Sequence, residues 1–533
     1  MRRRTLLRGS AALAAGTTLG LGVEVAAGAA ALPTDEVLKF IPEGNLQNPD
    51  PVWTTTTVAR NHALMVWDTL FGLDAKLQPQ PQMIGDFGVS SDGLLWTFTL
   101  RPELTFHDGT KVRAIDAVTS TNRWMQRNGY GLRIKSQLAA MTATDDATFI
   151  IRLTKPFPIL PFALAKDPVF VMPERIARTS AFEQIKEYIG SGPYRFMVNE
   201  WIAGSLAAYE KFTSYVPRKE SPSFTAGAKI ARFDRVDWNV ISDSGTAASA
   251  IEQGSEDWWQ TPLVDLLPVL KATKGVKVET LDPFGQIAII RFNFLIPPFD
   301  NVKLRRALLP AIDQSEYVTA AMGKDNGLTR TGVGVFTPGS PLANDAGLSV
   351  LSGPRDLPLA RKLVKEAGYD GQKIVLLAPT DYPTLNALAE VTNALLTRLG
   401  FNVDYQAMDW GTLVARRAIK KPLDQGGWSI FCTTWEGLSF TDPGSFYPIF
   451  GTGTAPGWFG WYKSAKMESL RDAWFNAKDL AAQKRVAVAI QELVWQEVPY
   501  IPLGQWFQPI AFRDTLSGIL PSPFPIFWNV RKA

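Results

Sequence analysis

From Trp96 to Arg101 apolar and polar residues alternate strictly, with Trp96, Phe98 and Leu100 set against Thr97, Thr99 and Arg101. A period of two sends successive side chains to opposite faces, so the segment predicts a half-buried strand. Leu104 and Phe106 continue the pattern after Pro102, and FHDGT closes it. Asp108 can bond its own backbone and Gly109 tolerates positive φ, so His107 and Asp108 are expected in a turn, with Ile115, Val118 and Met125 following at helical spacing. A second rhythm starts at KIVLLAP, a short apolar strand. TDYPTLNALAEVTNALLTRLG then reads as a helix, with Asp381 suited to the N-cap, Pro383 to the first turn, Leu385, Leu388, Leu395, Leu396 and Leu399 as its apolar stripe, and Gly400 as its end. FNVDY returns as a strand. Strand, helix, strand implies a right-handed crossover in a parallel sheet, and such sheets bind ligands at the carboxyl ends of their strands, here the APTDYP turn. Leu480 to Val498 predicts a helix stopped by Pro499, with YIPLGQWF leaving as a strand. The fold class is therefore α/β.

Composition narrows the chemistry. Only two histidines, His62 and His107, and one cysteine, Cys432, occur in 533 residues. No HExxH or paired-cysteine spacing is present, no serine has glycines two positions away on both sides, and no glycine-rich run ends in Gly-Lys-Ser/Thr. No metal site, cofactor or catalytic residue is expected, and Cys432, without a basic neighbour, reads as a small buried hydrophobe. The start, MRRRTLLRGSAALAAGTTLGLGVEVAAGAAALP, has a basic head, an apolar small-residue middle and alanines suited to cleavage. Arg3 and Arg4 before Thr5, Leu6 and Leu7 resemble a twin-arginine export signal, taken as residues 1–31. That stretch holds four arginines against one glutamate, so the formal +4 of the whole chain falls to about +1 without it. Near neutrality and without a basic face or module, the chain is not expected to bind nucleic acid. About 500 remaining residues predict more than one core, and the lack of low-complexity linkers predicts interleaved domains.

Taken in order, LQNPDPVWTTTT, VWDTLFGLDAKLQPQPQMI, SSDGLLWTFTLRPELTFHDGTKVRAIDAV, GSGPYRF, AIEQGSEDWW, RFNFLIPPFDNVKLRRALLPAID, ARKLVKEAGY and VPYIPLGQW resemble the family 5 extracellular solute-binding proteins of bacterial ABC importers, the group with dipeptide, oligopeptide and nickel binders. The resemblance spans nearly the whole chain after the signal. It implies a two-lobed periplasmic-binding-protein fold of type II, in the large form with an inserted subdomain. Lobe I would comprise residues 32–64, 190–283 and 503–533, the inserted subdomain 65–189, and lobe II 284–502, with hinge crossings near Asp282 to Gln286 and Val498 to Gly504. It also implies a monomeric periplasmic receptor that captures a peptide or similar small organic solute between the lobes and delivers it to a permease in the inner membrane. A periplasmic chaperone or hydrolase on the same fold is the alternative.

The resemblance further places the cleft wall at Trp53, Thr54 and Thr55, at one of the pair Trp258 and Trp259, at Asp381 and Tyr382, and at Trp435, Glu436 and Asp442. Asp381 could equally serve only as a helix cap, and Trp53 could be a buried anchor of a surface loop. Two departures from the family pattern bear on the solute. Dipeptide and oligopeptide binders carry an aspartate three residues after the tryptophan matched by Trp435, where this chain has Leu438. Dipeptide binders also use an arginine where this chain has Thr380, Asp381 and Tyr382. An unpartnered buried charge is costly, so these departures point to a neutral or cationic aromatic-compatible molecule, or an end-blocked peptide, rather than a zwitterionic dipeptide.

Overall fold

The computed structural model describes residues 36–532 apart from 325–326 and 455–456, so the signal expected over residues 1–31 lies outside the described residues. Among those described, no helix is long and apolar enough to cross a membrane. Two large sheets organise the chain. The first has seven strands in the order Val276–Glu279, Ile510–Arg513, Trp258–Trp259, Val37–Ile41, Arg235–Asn239, Leu206–Lys211, Tyr194–Phe196. The second has six, in the order Thr329–Arg330, Tyr500–Trp506, Gln286–Phe292, Ile430–Glu436, Lys373–Pro379, Asn402–Met408. A separate antiparallel sheet of Ile84–Val89, Leu95–Leu100, Thr148–Leu153 and Leu138–Ala143 lies within the stretch between the first and second visits to the seven-stranded sheet.

The alternating segment forms the strand Leu95–Leu100, with Trp96, Phe98 and Leu100 buried. FHDGT is a turn: Gly109 has φ +83°, its N–H donates to Phe106 O (2.9 Å), and Asp108 Oδ1 accepts from the Thr110 N–H (3.0 Å). His107 does more than shape it. Its Nδ1 accepts from the Gly190 N–H (3.2 Å), which leaves Nε2–H to donate to Gly192 O (3.0 Å), so the imidazole pins GSGPYRF beside the turn. Burial pushes the His107 pKa down to about 4, so the ring stays neutral.

In the six-stranded sheet Lys373–Pro379 pairs in parallel with both Asn402–Met408 and Ile430–Glu436, and the helix Pro383–Arg398 makes the crossover. Its five leucines from Leu385 to Leu399 are all buried, and Gly400 follows at φ +89°. The cap differs from the expectation. Tyr382 occupies the N-cap without a side-chain bond, while Asp381 Oδ1 accepts from the Trp410 N–H at 2.7 Å. Pro383 starts the helix, which leaves Asp381 one residue outside it and turned to the next helix, Trp410–Arg416. Cys432 is buried against that crossover helix, its Sγ 3.2 Å from Thr392 Oγ1, and burial lifts the thiol to about 12.

The chain passes between the two sheets at 280–285 and returns at 507–509. The return comes later than Val498 to Gly504, because the ladder of Tyr500–Trp506 continues to the pair Trp506 and Gln286. At the first passage the backbones come very close: Gly285 has φ +61°, Gly437 donates its N–H to Gly285 O at 2.7 Å, and a Cβ on Gly437 would fall 2.0 Å from Phe284 O. Neither position tolerates a side chain without moving the crossing.

Candidate ligand-binding cleft between the two sheets

The six-stranded sheet ends in an aromatic wall. Trp435, next to last in its strand, stacks on Tyr447 (5.9 Å between centroids) and meets Trp458 edge-on (5.3 Å). Its indole Nε1 is sealed from solvent with no acceptor, although the residue as a whole is only half-buried. Tyr382 sets its ring against Trp410 at 6.1 Å, and burial raises its phenol pKa, with the charge of Glu43 adding to the effect. Glu43 belongs to the segment leaving the seven-stranded sheet, so Tyr382 and Glu43 face each other across the interface.

Opposite the wall stands the helix Thr57–Val66, in which Arg60 is the only formally charged residue. Arg60 Nη1 meets Glu436 Oε2 at 2.5 Å, joining the first lobe to the second, and its guanidinium lies 4.2 Å from the Phe524 ring centre. Besides Glu436, three more carboxylates feel the charge of Arg60. Glu43 accepts from Thr57 Oγ1, and burial, opposed by that bond, raises its pKa, with Glu436 adding repulsion. Asp282, on the first passage, is raised to about 6 by burial and by Glu436, despite accepting from the Phe284 N–H at 2.8 Å. Asp167 reaches about 6, chiefly through burial. A cavity of about 70 Å³ lies among Arg60, Leu64, Lys166, Asp167, Glu436 and Phe524.

Beside it a second set of contacts joins the helices Gly129–Lys135 and Leu160–Lys166 to the segment after the strand Ile430–Glu436. Lys166 Nζ donates to Leu438 O (2.7 Å) and Thr441 Oγ1 (2.6 Å) and lies 3.4 Å from Asp442 Oδ2. Tyr130 OH donates to Asp442 Oδ1 at 2.6 Å. Asp442 is thus buried and occupied by protein groups, including the Gly444 N–H (2.8 Å). Its carboxylate is taken up by Lys166, Tyr130 and the Gly444 N–H rather than lying open to a solute.

The remaining sequence candidates fall in two classes. Trp53 and Thr54 are half-exposed and Thr55 exposed, in a loop shaped by Asp50, whose Oδ1 accepts from the N–H groups of Val52 (3.0 Å) and Trp53 (3.3 Å). Trp258 and Trp259 are both buried, at 2% and 4% exposure, so neither meets the cleft in this arrangement. Their two-residue strand is covered on both faces. Trp258 joins Phe40 and Phe527 on one side, and Trp259 lies with Ile41, Ile251 and Leu270 on the other. The sequence does not single out Arg60, Glu43 or Lys166, and it marks Asp282 only as the start of a hinge crossing. Only Arg60 had a visible signal, as the lone charge in an apolar helix.

The sequence profile of the bacterial extracellular solute-binding proteins, family 5 Middle, matches residues 78–457. The chain belongs to family 5. Over its full length it is 37% identical to the probable peptide ABC transporter periplasmic-binding protein y4tO of Sinorhizobium fredii, covering 99% of that protein. It is 25% identical over 512 residues to the glutathione-binding protein GsiB of Escherichia coli, with 95% of each chain covered. Among solved structures, the oligopeptide-binding protein AppA of Bacillus subtilis with a nonapeptide superposes with a TM-score of 0.78 at 18% identity, covering 93% of this chain and 99% of that one. A dipeptide-binding protein of a Pseudoalteromonas species, holding Met-Leu, gives a TM-score of 0.77 at 21% identity over 93% of this chain and 100% of that one. These likenesses show the two-lobed type II fold. This family 5 chain is thus a solute-binding protein of the ABC-importer class.

Proposed function

We propose that this family 5 protein is the exported, monomeric receptor of an ABC importer for peptides or similar small organic solutes, which it holds between its lobes and presents, closed, to an inner-membrane permease. The observation that carries the reading is the Arg60–Glu436 contact, an ion pair between lobes set beside an aromatic wall and surplus carboxylate. A solute binding there touches both lobes and favours closure by its differential affinity for the closed form. The names of y4tO and GsiB support a peptide-like solute, the family's extracellular description supports a periplasmic location, and the Arg3–Arg4 start of residues 1–31 supports export by the twin-arginine route. In this reading the lobes follow the boundaries stated above, with the return crossing moved to 507–509. Trp435 and Tyr382 meet the solute from lobe II and the Trp53–Thr55 loop from lobe I, while Glu43, Asp282 and Glu436 receive its cationic end. Asp381 and Asp442 hold the segments beside the wall, Trp258 and Trp259 pack the core of the seven-stranded sheet, and no bond in the solute is broken.

The test is mass spectrometry of compounds released from protein purified from the periplasm, followed by calorimetric titration of the stripped protein with those compounds and with di- to tetrapeptides. Saturable one-to-one binding of a peptide, recovered unchanged, is expected. Recovery of cleaved products, or no saturable binding across the panel, would sink the reading.

A further inference from the structure

Among the described residues of lobe II, Arg417 forms no ion pair. The helix Trp410–Arg416 ends in ARRAIKKP, four basic residues without an acid. Arg416 donates to Gly426 O and Gly427 O, and Lys420 to Thr454 O. Arg417 is different. Its guanidinium carbon stands 4.4 Å from the Phe459 ring centre, 5.7 Å from Trp410 and 5.9 Å from Phe431, so three rings from three segments flank it, while the residue as a whole is half-buried. Among the described residues its side chain has no hydrogen bond or ion pair, and Nε is sealed from solvent without an acceptor. Burial alone, with no charge opposing it, lowers its pKa to about 10.

Ring faces offset part of the lost hydration of a guanidinium, but they accept none of its in-plane N–H groups. Those groups form a rigid fork that fits the two oxygens of a carboxylate. The cage is continuous with the wall of the cleft on both sides. Tyr382 touches Trp410 (6.1 Å), and Phe459 touches Trp458 (6.2 Å), which meets Trp435 (5.3 Å). Two rows of rings therefore lead from the proposed solute contacts to the same unpaired cation.

We propose that Arg417, within the cage of Trp410, Phe431 and Phe459, is the anion site of the cleft and takes a carboxylate of the solute. This rests on the receptor reading for its biological use, and it revises the expectation drawn from the missing arginine beside Tyr382. The cation is supplied from the far end of the next helix instead. The preferred solutes are then carboxylates whose positive end faces Glu43, Asp282 and Glu436.

Two probes separate the site from the peptide reading. Benzoate and its neutral isostere benzamide are titrated into stripped wild-type protein, read by tryptophan fluorescence, since Trp410 borders the cage. Benzoate is expected to bind at least tenfold tighter than benzamide, Arg417→Gln to abolish the difference, and Arg417→Lys to keep its sign at reduced size. In parallel, tetrapeptides with a free carboxyl terminus are compared with their amides. Equal behaviour of benzoate and benzamide on wild type, or an unchanged ratio in a folded Arg417→Gln protein, overturns the site. Should Arg417→Gln not fold, the wild-type and Arg417→Lys ratios decide. Failure of every peptide with the benzoate preference intact removes the peptide reading and leaves the carboxylate site standing.

Discussion

Asp50–Arg123 and Arg60–Glu436 are both arginine–carboxylate pairs between segments distant in sequence, and their surroundings are opposite. Arg123 holds Asp50 through two parallel bonds, 3.0 and 2.7 Å, with both side chains 1% exposed. It also donates to Thr179 O and Glu183 O, while Asp50 gathers the Ile185 N–H and the loop before Trp53. Nearly every polar atom is satisfied, as a permanent joint requires. Arg60 reaches Glu436 with one nitrogen, keeps 25% exposure and leaves Nε buried without an acceptor. The first pair fixes the helix Ala114–Trp124 to the loop that carries Asp50. The second has the incomplete saturation that the proposed receptor needs of a contact that opens and closes, and in that proposal closure depends on the pair that is worse satisfied.

That contrast is broken most forcefully at the permanent joint. Arg123→Ala should destabilise the protein by about 3–5 kcal/mol, the usual effect of stranding one member of a buried pair. Urea unfolding followed by circular dichroism measures it, and a loss below about 1 kcal/mol would mean that Asp50 finds water and the joint is not closed. On the cleft side, Trp435→Ala should weaken solute binding by about 1–3 kcal/mol, the scale for removing an aromatic anchor, with little change in stability. Unchanged affinity in calorimetry would assign the wall to packing alone.

His107→Ala belongs with the permanent joints. It removes two buried hydrogen bonds to the Gly190–Gly192 segment and should lower stability by about 1–3 kcal/mol without altering solute affinity. Its pH signature has a definite sign. The folded pKa, about 4, lies below the ordinary value of 6.5, so the unfolded chain takes the proton first. This contribution is complete above pH 6.5 and lost as pH falls toward 4, and the variant should therefore show a shallower acid limb than wild type. A parallel limb in the two proteins would show that the ring titrates freely.

These features were not equally visible in the sequence. The strand at Trp96, the helix after Pro383 and the turn at Gly109 follow from local rules of period two, period 3.6 and positive φ, and each formed within a residue or two of its predicted place. At Trp258 and Trp259 alternation says only that neighbours face opposite ways, while tertiary structure decides that both faces are covered. Asp381 had the right chemistry for a cap but the wrong neighbour. The cage of Arg417 was out of reach altogether, since its rings come from residues 410, 431 and 459 and converge only after the sheet and its last loop are built.

The smallest effect sharpens the comparison most, because it concerns the switchable pair alone. Glu436→Gln should change unfolding free energy by less than about 1 kcal/mol, given the exposure of Arg60. The same fraction of a kcal/mol still shifts an open–closed equilibrium several-fold. Protonation should act on the same balance. Asp282 and Asp167 reach about 6 through burial where Arg60 and Glu436 meet, and Glu43 is raised as well, whereas hydrated carboxyls in a more open cleft return toward 4. A pKa raised in the closed form means that closing takes up protons between about pH 4 and 6, so the penalty of closing is complete above pH 6 and relieved below it. Distance measured by energy transfer between dyes on the two lobes should therefore shorten from pH 7.5 to pH 5 in solute-free protein. In Glu436→Gln, which removes the repulsion on Glu43 and Asp282, the midpoint of that change should move to lower pH. A distance independent of pH in both proteins would show that the three acids are already hydrated when the lobes are closed, and that Arg60–Glu436 is as permanent a joint as Asp50–Arg123.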